Sequence, residues 1–142
     1  MIKHLTLSNL DIYTLAQQIV QIQQNEQYTN KSYPVKINFY LQKNQNVILD
    51  LAKEIEKERM DILQKFQDPT AEIEEDNGQQ QIIIPKEKVD QVNQELNDLL
   101  ALEQEVTIYT IDLAVFDEIE MTPQEFQAIN FMITENFEEE EE

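Results

Sequence analysis

The stretch PVKINFYLQKNQNVILDLAKEIEKERMDILQKFQ, residues 34–67, decides the fold of this chain. Its only proline is the first residue, where a missing backbone N–H costs a helix nothing. Good helix formers fill most positions, and apolar residues recur every seven positions at Leu41, Ile48, Ile55 and Ile62. The pattern predicts one helix of about 30 residues, which would be about 45 Å long. Over Val35–Tyr40, β-branched and aromatic residues leave a strand as the alternative.

Before this helix, the sequence predicts a short strand and a first helix. Polar and apolar residues alternate over Met1–Leu7, as they do in a strand with one buried face. Ser8 and the polar residues after it offer N-cap chemistry for a helix over about residues 10–24. The polar segment Asn25–Ser32 is predicted to be a loop.

After the long helix, the sequence predicts a β-hairpin and a second long element. Asp68-Pro69 ends the helix, because a residue before proline disfavours helical geometry. Asn77-Gly78 contains the only glycine and is the favoured pair for a type I′ hairpin turn. A helix over about Lys86–Leu102 follows, and we expect it to pack antiparallel against the long helix with the β-hairpin at the tip of the pair.

The last third of the sequence predicts one strand and one helix. Val106–Leu113 is rich in β-branched and aromatic residues, and we expect it to pair with the first strand. Thr122-Pro123-Gln124-Glu125 is a capping box that begins the last helix. The predicted fold is α+β and mainly helical: a long antiparallel helical hairpin with a β-hairpin at its tip, on a small base of two strands and two shorter helices. We expect residues 1–137 to form a single domain and residues 138–142 a flexible acidic tail.

The composition excludes several kinds of site. The chain of 142 residues has no cysteine, so it holds no disulfide, thiolate nucleophile or cysteine-based metal site. One glycine cannot build a phosphate-binding loop. A net charge of −19 opposes direct binding to nucleic acid or to an anionic membrane. No apolar run is long enough for a membrane span or a signal peptide. We therefore expect no cofactor, no nucleic-acid binding and no membrane association.

The negative charge is concentrated in the second half of the chain. Residues 1–69 carry eight basic and eight acidic side chains, whereas residues 70–142 carry two lysines against 21 acidic groups. Three interpretations fit this asymmetry: a solvated surface with a solubilising tail, an imitation of the phosphate backbone of DNA, or a tail that recruits a basic partner. Mimicry requires carboxylates spaced along a rigid surface.

The sequence contains few candidates for catalytic or metal-binding groups. His4 is the only histidine, and its place in an alternating strand predicts an exposed surface residue. The acidic residues are too numerous for any one pair to indicate acid–base catalysis. A calcium loop aligned on Gly78 fails, because Ile73 and Ile84 occupy the first and last positions, which require oxygen ligands.

The run QQQIII at residues 79–84 is the most specific sign of an interaction site. It is uncharged, and as an exposed strand it would promote aggregation. The run is therefore either buried within this protein or available to a partner strand. The candidate partner-binding residues are Asn77, Gly78, Gln81, Ile82, Ile83 and Ile84.

The order of short motifs resembles a known family. An opening LTLSN at residues 5–9 is followed by EIEKER at 54–59, VNQELNDLL at 92–100 and EMTPQEF at 120–126. This order resembles a family of small proteins of unknown function encoded by tailed bacteriophages and prophages, and the likeness covers most of residues 2–133. It implies phage origin and a place in the host cytoplasm or in the virion, but no activity.

These observations predict a bacteriophage-encoded interaction protein without enzymatic activity, acting in particle structure or assembly. Its partner would be a phage or host protein, and the apolar stripe of the long helix is compatible with self-association. The alternative is an acidic inhibitor that mimics nucleic acid and blocks a host DNA-binding or defence protein.

Overall fold

The computed structural model describes residues 2–24, 33–67, 75–76, 79–80, 83–116, 119 and 121–134. The α-helices are α1 (Asn9–Gln23), α2 (Val35–Phe66), α3 (Val89–Ala101) and α4 (Pro123–Ile129). The strands are β1 (Ile2–Ser8), β2 (Glu75–Asp76), β3 (Gln79–Gln80), β4 (Glu103–Tyr109), β5 (Ile111–Asp112) and β6 (Ile133–Thr134). Short 3₁₀ turns lie at Lys86–Lys88, Leu113–Phe116 and Asn130–Met132. The chain is α+β and mostly helical, as predicted; the predicted loop at 25–32 and the predicted tail at 138–142 lie outside the described residues.

The long helix is confirmed almost to the residue. Helix α2 has 32 residues and begins directly after Pro34, and Val35–Tyr40 is helical, so the strand alternative is wrong. Three residues of the seven-residue repeat, Leu41, Ile48 and Ile55, are buried. The fourth, Ile62, is only half-buried. The repeat therefore contacts the core along the first two thirds of the helix.

Strands from distant parts of the sequence form the central pair. β1 and β4 are antiparallel, with Ile2 opposite Tyr109 and Ser8 opposite Glu103, which confirms the predicted pairing. The prediction of one strand over Val106–Leu113 is wrong at both ends. β4 begins three residues earlier, at Glu103. The strand is interrupted at Thr110, and the residues after it form β5, which pairs in parallel with β6.

A buried asparagine of α2 pairs with the backbone of Tyr109, the last residue of β4. The Asn44 side chain of α2 donates to the Tyr109 carbonyl at 2.7 Å and accepts from the Tyr109 N–H at 2.8 Å. Because the N–H and C=O of one residue point to the same edge of a strand, the Asn44 amide takes the place of a neighbouring strand there. A helix side chain thus completes the edge of β4.

Two helix N-termini are capped as the sequence predicts. Ser8 Oγ accepts from the Asp11 N–H at 3.0 Å, and the Asp11 carboxylate accepts from the Ser8 N–H at 3.4 Å. Thr122 Oγ1 accepts from the Glu125 N–H at 3.2 Å. Each cap satisfies backbone donors that a helix leaves unpaired, and so fixes where α1 and α4 begin.

Apolar side chains from α1, α2, β4 and α4 meet in one core cluster. The fully buried members include Ile12 and Ile19 of α1, Ile48 of α2, Ile108 of β4 and Ile129 of α4. Burial of such side chains stabilises the fold by about 1.5–3 kcal/mol each. The core therefore joins the first helix, the long helix, the strand pair and the last helix.

A second buried asparagine joins two chain junctions. Asn9 Nδ2 donates to the Leu99 carbonyl at 2.8 Å, and the Asn9 side-chain oxygen accepts from Gln104 Nε2 at 2.6 Å. The Asn9 backbone N–H also donates to the Leu102 carbonyl at 2.8 Å. The start of α1 is thereby held against the turn from α3 into β4.

Helix α3 packs against the second half of α2. Lys65 Nζ lies 3.0 Å from Glu95 Oε1, near the end of α2. Before Lys65 in α2, Ile55 and Arg59 line a groove together with Leu96 and Leu99 of α3.

We predict that Asn44→Ala lowers the free energy of unfolding by about 2–4 kcal/mol, because two part-buried backbone groups of Tyr109 lose their partner. Urea unfolding followed by circular dichroism measures this change. Asn46→Ala is the matched control, since Asn46 is exposed in the same helix and alanine brings the same gain in helix propensity. Equal stability of the two variants would contradict the role given to Asn44.

Candidate functional site

The candidate partner-binding run lies only in part within the described residues. β2 and β3 pair across the predicted turn, with Asp76 opposite Gln79, so the hairpin is confirmed. Ile83 is 43 % exposed, and Ile84 is half-buried. The other candidates, Asn77, Gly78, Gln81 and Ile82, lie outside the described residues. Ile83 is therefore the one candidate whose apolar side chain is shown open to solvent.

The only histidine lies on an open face of the strand pair, as predicted. His4 Nδ1 is hydrogen-bonded to Thr107 Oγ1 at 2.9 Å and lies 3.4 Å from Glu105 Oε1. Both side chains of the His4–Glu105 pair are more than half exposed, so their attraction contributes little to stability. The sequence could not reveal this pair, because its two members lie on strands about a hundred residues apart.

An aromatic surface that was not predicted from the sequence lies where the first turns of α2 meet the end of β4. The Tyr40 and Tyr109 rings stack with centroids 4.7 Å apart and planes 7° apart. Phe39 lies 6.3 Å from Tyr109 in a tilted arrangement. We call this surface the aromatic patch and define it by Val35, Lys36, Phe39, Tyr40, Lys43 and Tyr109.

Two lysines extend over the rings of the patch. Lys36 Nζ lies 5.7 Å from the Tyr40 ring centroid, and Lys43 Nζ lies 5.4 Å from that of Phe39. Such cation–π contacts are worth about 0.5–1 kcal/mol at exposed sites. They hold both ammonium groups beside the aromatic rings, where the groups remain available to an anionic ligand.

A groove of about 720 Å³ runs between α1 and α2 on another face. Small and apolar side chains such as Ala16, Val20 and Ala52 line it. Tyr13, at one end, donates a hydrogen bond from its hydroxyl to Glu56 Oε2 at 3.0 Å, and the other oxygen of Glu56 accepts from Arg59 at 3.0 Å. At this end of the groove, the Glu56 carboxylate therefore accepts hydrogen bonds from both the Tyr13 phenol and the Arg59 guanidinium.

Metal-binding clusters and membrane-spanning helices are both absent from the described part of the chain. Within it, no group of three or more histidine, aspartate or glutamate side chains is placed to hold a metal ion. Among the helices described, none has the length and apolar character needed to cross a membrane.

Comparisons of the chain with protein-family models, curated proteins and solved structures gave no match.

We predict that Tyr13 ionises only at a higher pH than an ordinary tyrosine does. Burial, followed by the hydrogen bond to Glu56 and the charge of Glu56, raises the pKa of Tyr13 above its ordinary value of 10.0, and Arg59 opposes this in part. The raised pKa favours the neutral phenol in the folded state. Its stabilising contribution is therefore complete below pH 10 and is lost as the pH rises through the folded pKa.

Absorbance titration of the phenolate band measures this pKa. Tyr13→Phe should remove amplitude from the high-pH end of the curve. Glu56→Gln should move the Tyr13 transition to lower pH, because it keeps an acceptor but removes the negative charge. Loss of amplitude from the low-pH end in Tyr13→Phe would show that the pKa of Tyr13 is not raised.

Proposed function

We infer that this protein is a non-enzymatic protein-interaction protein of a tailed bacteriophage or prophage, acting in particle structure or assembly. The observation that carries the proposal is the exposure of Ile83, three residues after the end of β3. An exposed isoleucine offers apolar surface to a partner, and an extended partner segment could pair with the edge of the short hairpin. The proposed partner-binding segment is Asn77–Gly78 together with Gln81–Ile84.

The proposal includes a finer arrangement of the fold. In it, α2 and α3 form a long antiparallel helical hairpin with the β-hairpin at its tip, as the sequence predicts. The contact of Lys65 with Glu95, and the groove that Ile55 shares with Leu99, support this arrangement because the contacts run in opposite directions along the two helices. A helix of 32 residues, about 48 Å long, would carry the tip well away from the strand pair.

The position of His4 supports a function without catalysis. Its side chain is exposed on the open face of a two-stranded sheet, beside Thr107 and Glu105. General acid–base catalysis by histidine requires a substrate held at hydrogen-bonding distance, usually within a pocket that excludes water. An open strand face offers neither.

We predict that Ile83→Asp weakens self-association or partner binding about tenfold and leaves the helix content unchanged. Sedimentation velocity over a range of protein concentrations measures self-association, and far-UV circular dichroism measures helix content. Leu10→Asp is the control, because Leu10 is also exposed and an acidic residue is favourable in the first turn of a helix. Loss of helix content in Ile83→Asp would place the isoleucine run in the core and contradict the proposal.

Mass spectrometry of purified phage particles tests the biological setting. We expect the protein in mature particles or in assembly intermediates. Its absence from both would contradict a role in particle structure or assembly.

One observation favours the alternative function, in which the protein mimics nucleic acid. Glu103 and Glu105 are both exposed on one face of β4, and Asp90 and Asp98 are exposed on α3. These carboxylates are held on regular elements, as mimicry requires, and not only in the acidic tail.

If the protein is a mimic, it should displace duplex DNA from a basic DNA-binding protein, and the complex should weaken steeply between low and moderate salt. Fluorescence anisotropy of labelled DNA measures the displacement. A variant lacking Glu138–Glu142 separates the two acidic regions, since unchanged displacement would leave the folded carboxylates responsible. Failure to displace DNA at low salt would exclude mimicry.

A further inference from the structure

The beginning of α2 turns an aromatic stripe toward solvent. Lys36, Phe39, Tyr40 and Lys43 occupy positions i, i+3, i+4 and i+7, so they share one face of the helix. Val35 at the start of this stripe is 88 % exposed, and Phe39 is 48 % exposed. Isolated exposed apolar residues are common, but a contiguous exposed patch on a regular element is typical of an interaction site.

The patch is held in place by the body of the protein. Tyr109 stacks on Tyr40, and the backbone of Tyr109 is fixed by the Asn44 amide, one turn further along the same helix. A partner that docks on these rings does not have to order them first. Affinity gained at such a surface is therefore not offset by a large loss of conformational entropy.

The charge of the patch itself is opposite to that of the whole chain. From Tyr33 to Leu49 the sequence contains two lysines and no acidic residue, and β1 likewise contains none. The first acidic residue of α2 is Asp50. The acidic residues nearest to Tyr109 in sequence are Asp112, whose carboxylate accepts from the Ala114 N–H at 2.9 Å, and Glu105, four residues before Tyr109. The patch thus carries two lysines and no acidic residue of its own, on a protein of net charge −19.

We propose that the aromatic patch is the docking surface for an acidic segment of a partner protein, with one aromatic or large aliphatic residue of that segment packed on Phe39 and Tyr40. The exposed Phe39 ring and the open part of the half-buried Tyr40 ring supply the apolar contact, and Lys36 and Lys43 attract the carboxylates on either side of it. The inference rests on the proposed function in that it assumes a protein partner, but it uses a surface separate from Ile83.

A single nucleic-acid strand is the competing ligand class, because bases also stack on aromatic side chains beside cations. The charge of the chain disfavours it. A short acidic segment fits within the patch, whereas a longer phosphate backbone would extend over a protein surface of strongly negative net charge.

The absence of tryptophan from the chain permits a direct binding experiment. The probe is a short synthetic peptide in which one tryptophan is flanked by glutamates, and the emission of its indole reports binding without a background from the protein. We expect saturable binding that weakens as salt is added. Peptides with lysine in place of glutamate, or with alanine in place of tryptophan, should bind at least about tenfold more weakly.

Variants of the protein locate the binding. Phe39→Ala and the double variant Lys36→Gln with Lys43→Gln should each weaken peptide binding about tenfold. Phe126→Ala is the matched aromatic control, since Phe126 is 39 % exposed on α4. Lys53→Gln with Lys57→Gln is the matched charge control, since both lysines are exposed further along α2. The control variants should bind as the unmodified protein does.

Three results would overturn the proposal. The first is an unchanged indole emission up to millimolar peptide, and the second is an equal loss of binding in the control variants. The third is tighter binding of a thymidine oligonucleotide that displaces the peptide, which would assign the patch to nucleic acid. Loss of self-association in Phe39→Ala without any peptide binding would assign it to a second copy of the chain. None of these results bears on Ile83 or on the presence of the protein in particles, so the proposed function fails or stands separately.

Discussion

The pair of hydrogen bonds between the Asn44 side chain and the Tyr109 backbone connects helix α2 to the β1–β4 strand pair. Asn44 is 1 % exposed, and its amide pairs both backbone polar groups of Tyr109, a half-buried strand residue. Leaving such groups unpaired costs about 1–3 kcal/mol each, so the orientation of α2 relative to β4 is fixed by polar geometry as well as by apolar contact. Its Nδ2 also lies 3.4 Å from the Met132 sulfur, which brings the 3₁₀ turn after α4 to the same place.

This junction separates two chemically different regions of the surface. On one side, the first turns of α2 carry aromatic rings and lysines. On the other side, β4 and α3 carry the exposed carboxylates Glu103, Glu105, Asp90 and Asp98. The separation follows from the sequence, in which acidic residues are absent between Tyr33 and Leu49 and abundant after residue 70. The charge and apolar character of the surface therefore change over a short distance, and a partner of the kind proposed would bind in one orientation in preference to others.

Signals that act within a few residues made most elements predictable. The seven-residue repeat from Leu41 gave the extent of α2, the Ser8 and Thr122 caps gave the starts of α1 and α4, and Asn77-Gly78 gave the β2–β3 hairpin. The pairing of β1 with β4 was also predicted, as the pairing that would close the domain.

The features that define the candidate sites could not be predicted in the same way. In the sequence, Asn44 resembles any other polar residue of a helix. Its burial depends on a strand 65 residues further along the chain. The stacking of Tyr40 on Tyr109 and the contact of His4 with Glu105 likewise join residues far apart in sequence. Whether Ile83 is exposed depends on the same long-range packing, so the sequence could only present burial and partner binding as alternatives.

The wide separation of β1 and β4 constrains the order in which the chain folds. Ile2 finds its partner only at Tyr109, so the strand pair cannot close on the ribosome until most of the chain has been made. Helix α2 depends on local hydrogen bonds alone and can form much earlier. The helix then presents Asn44 before β4 exists, so β4 joins an edge whose donor and acceptor are already in place. Until that moment β1 has an open strand edge, and synthesis of the last third of the chain is the period in which this protein is most exposed to aggregation.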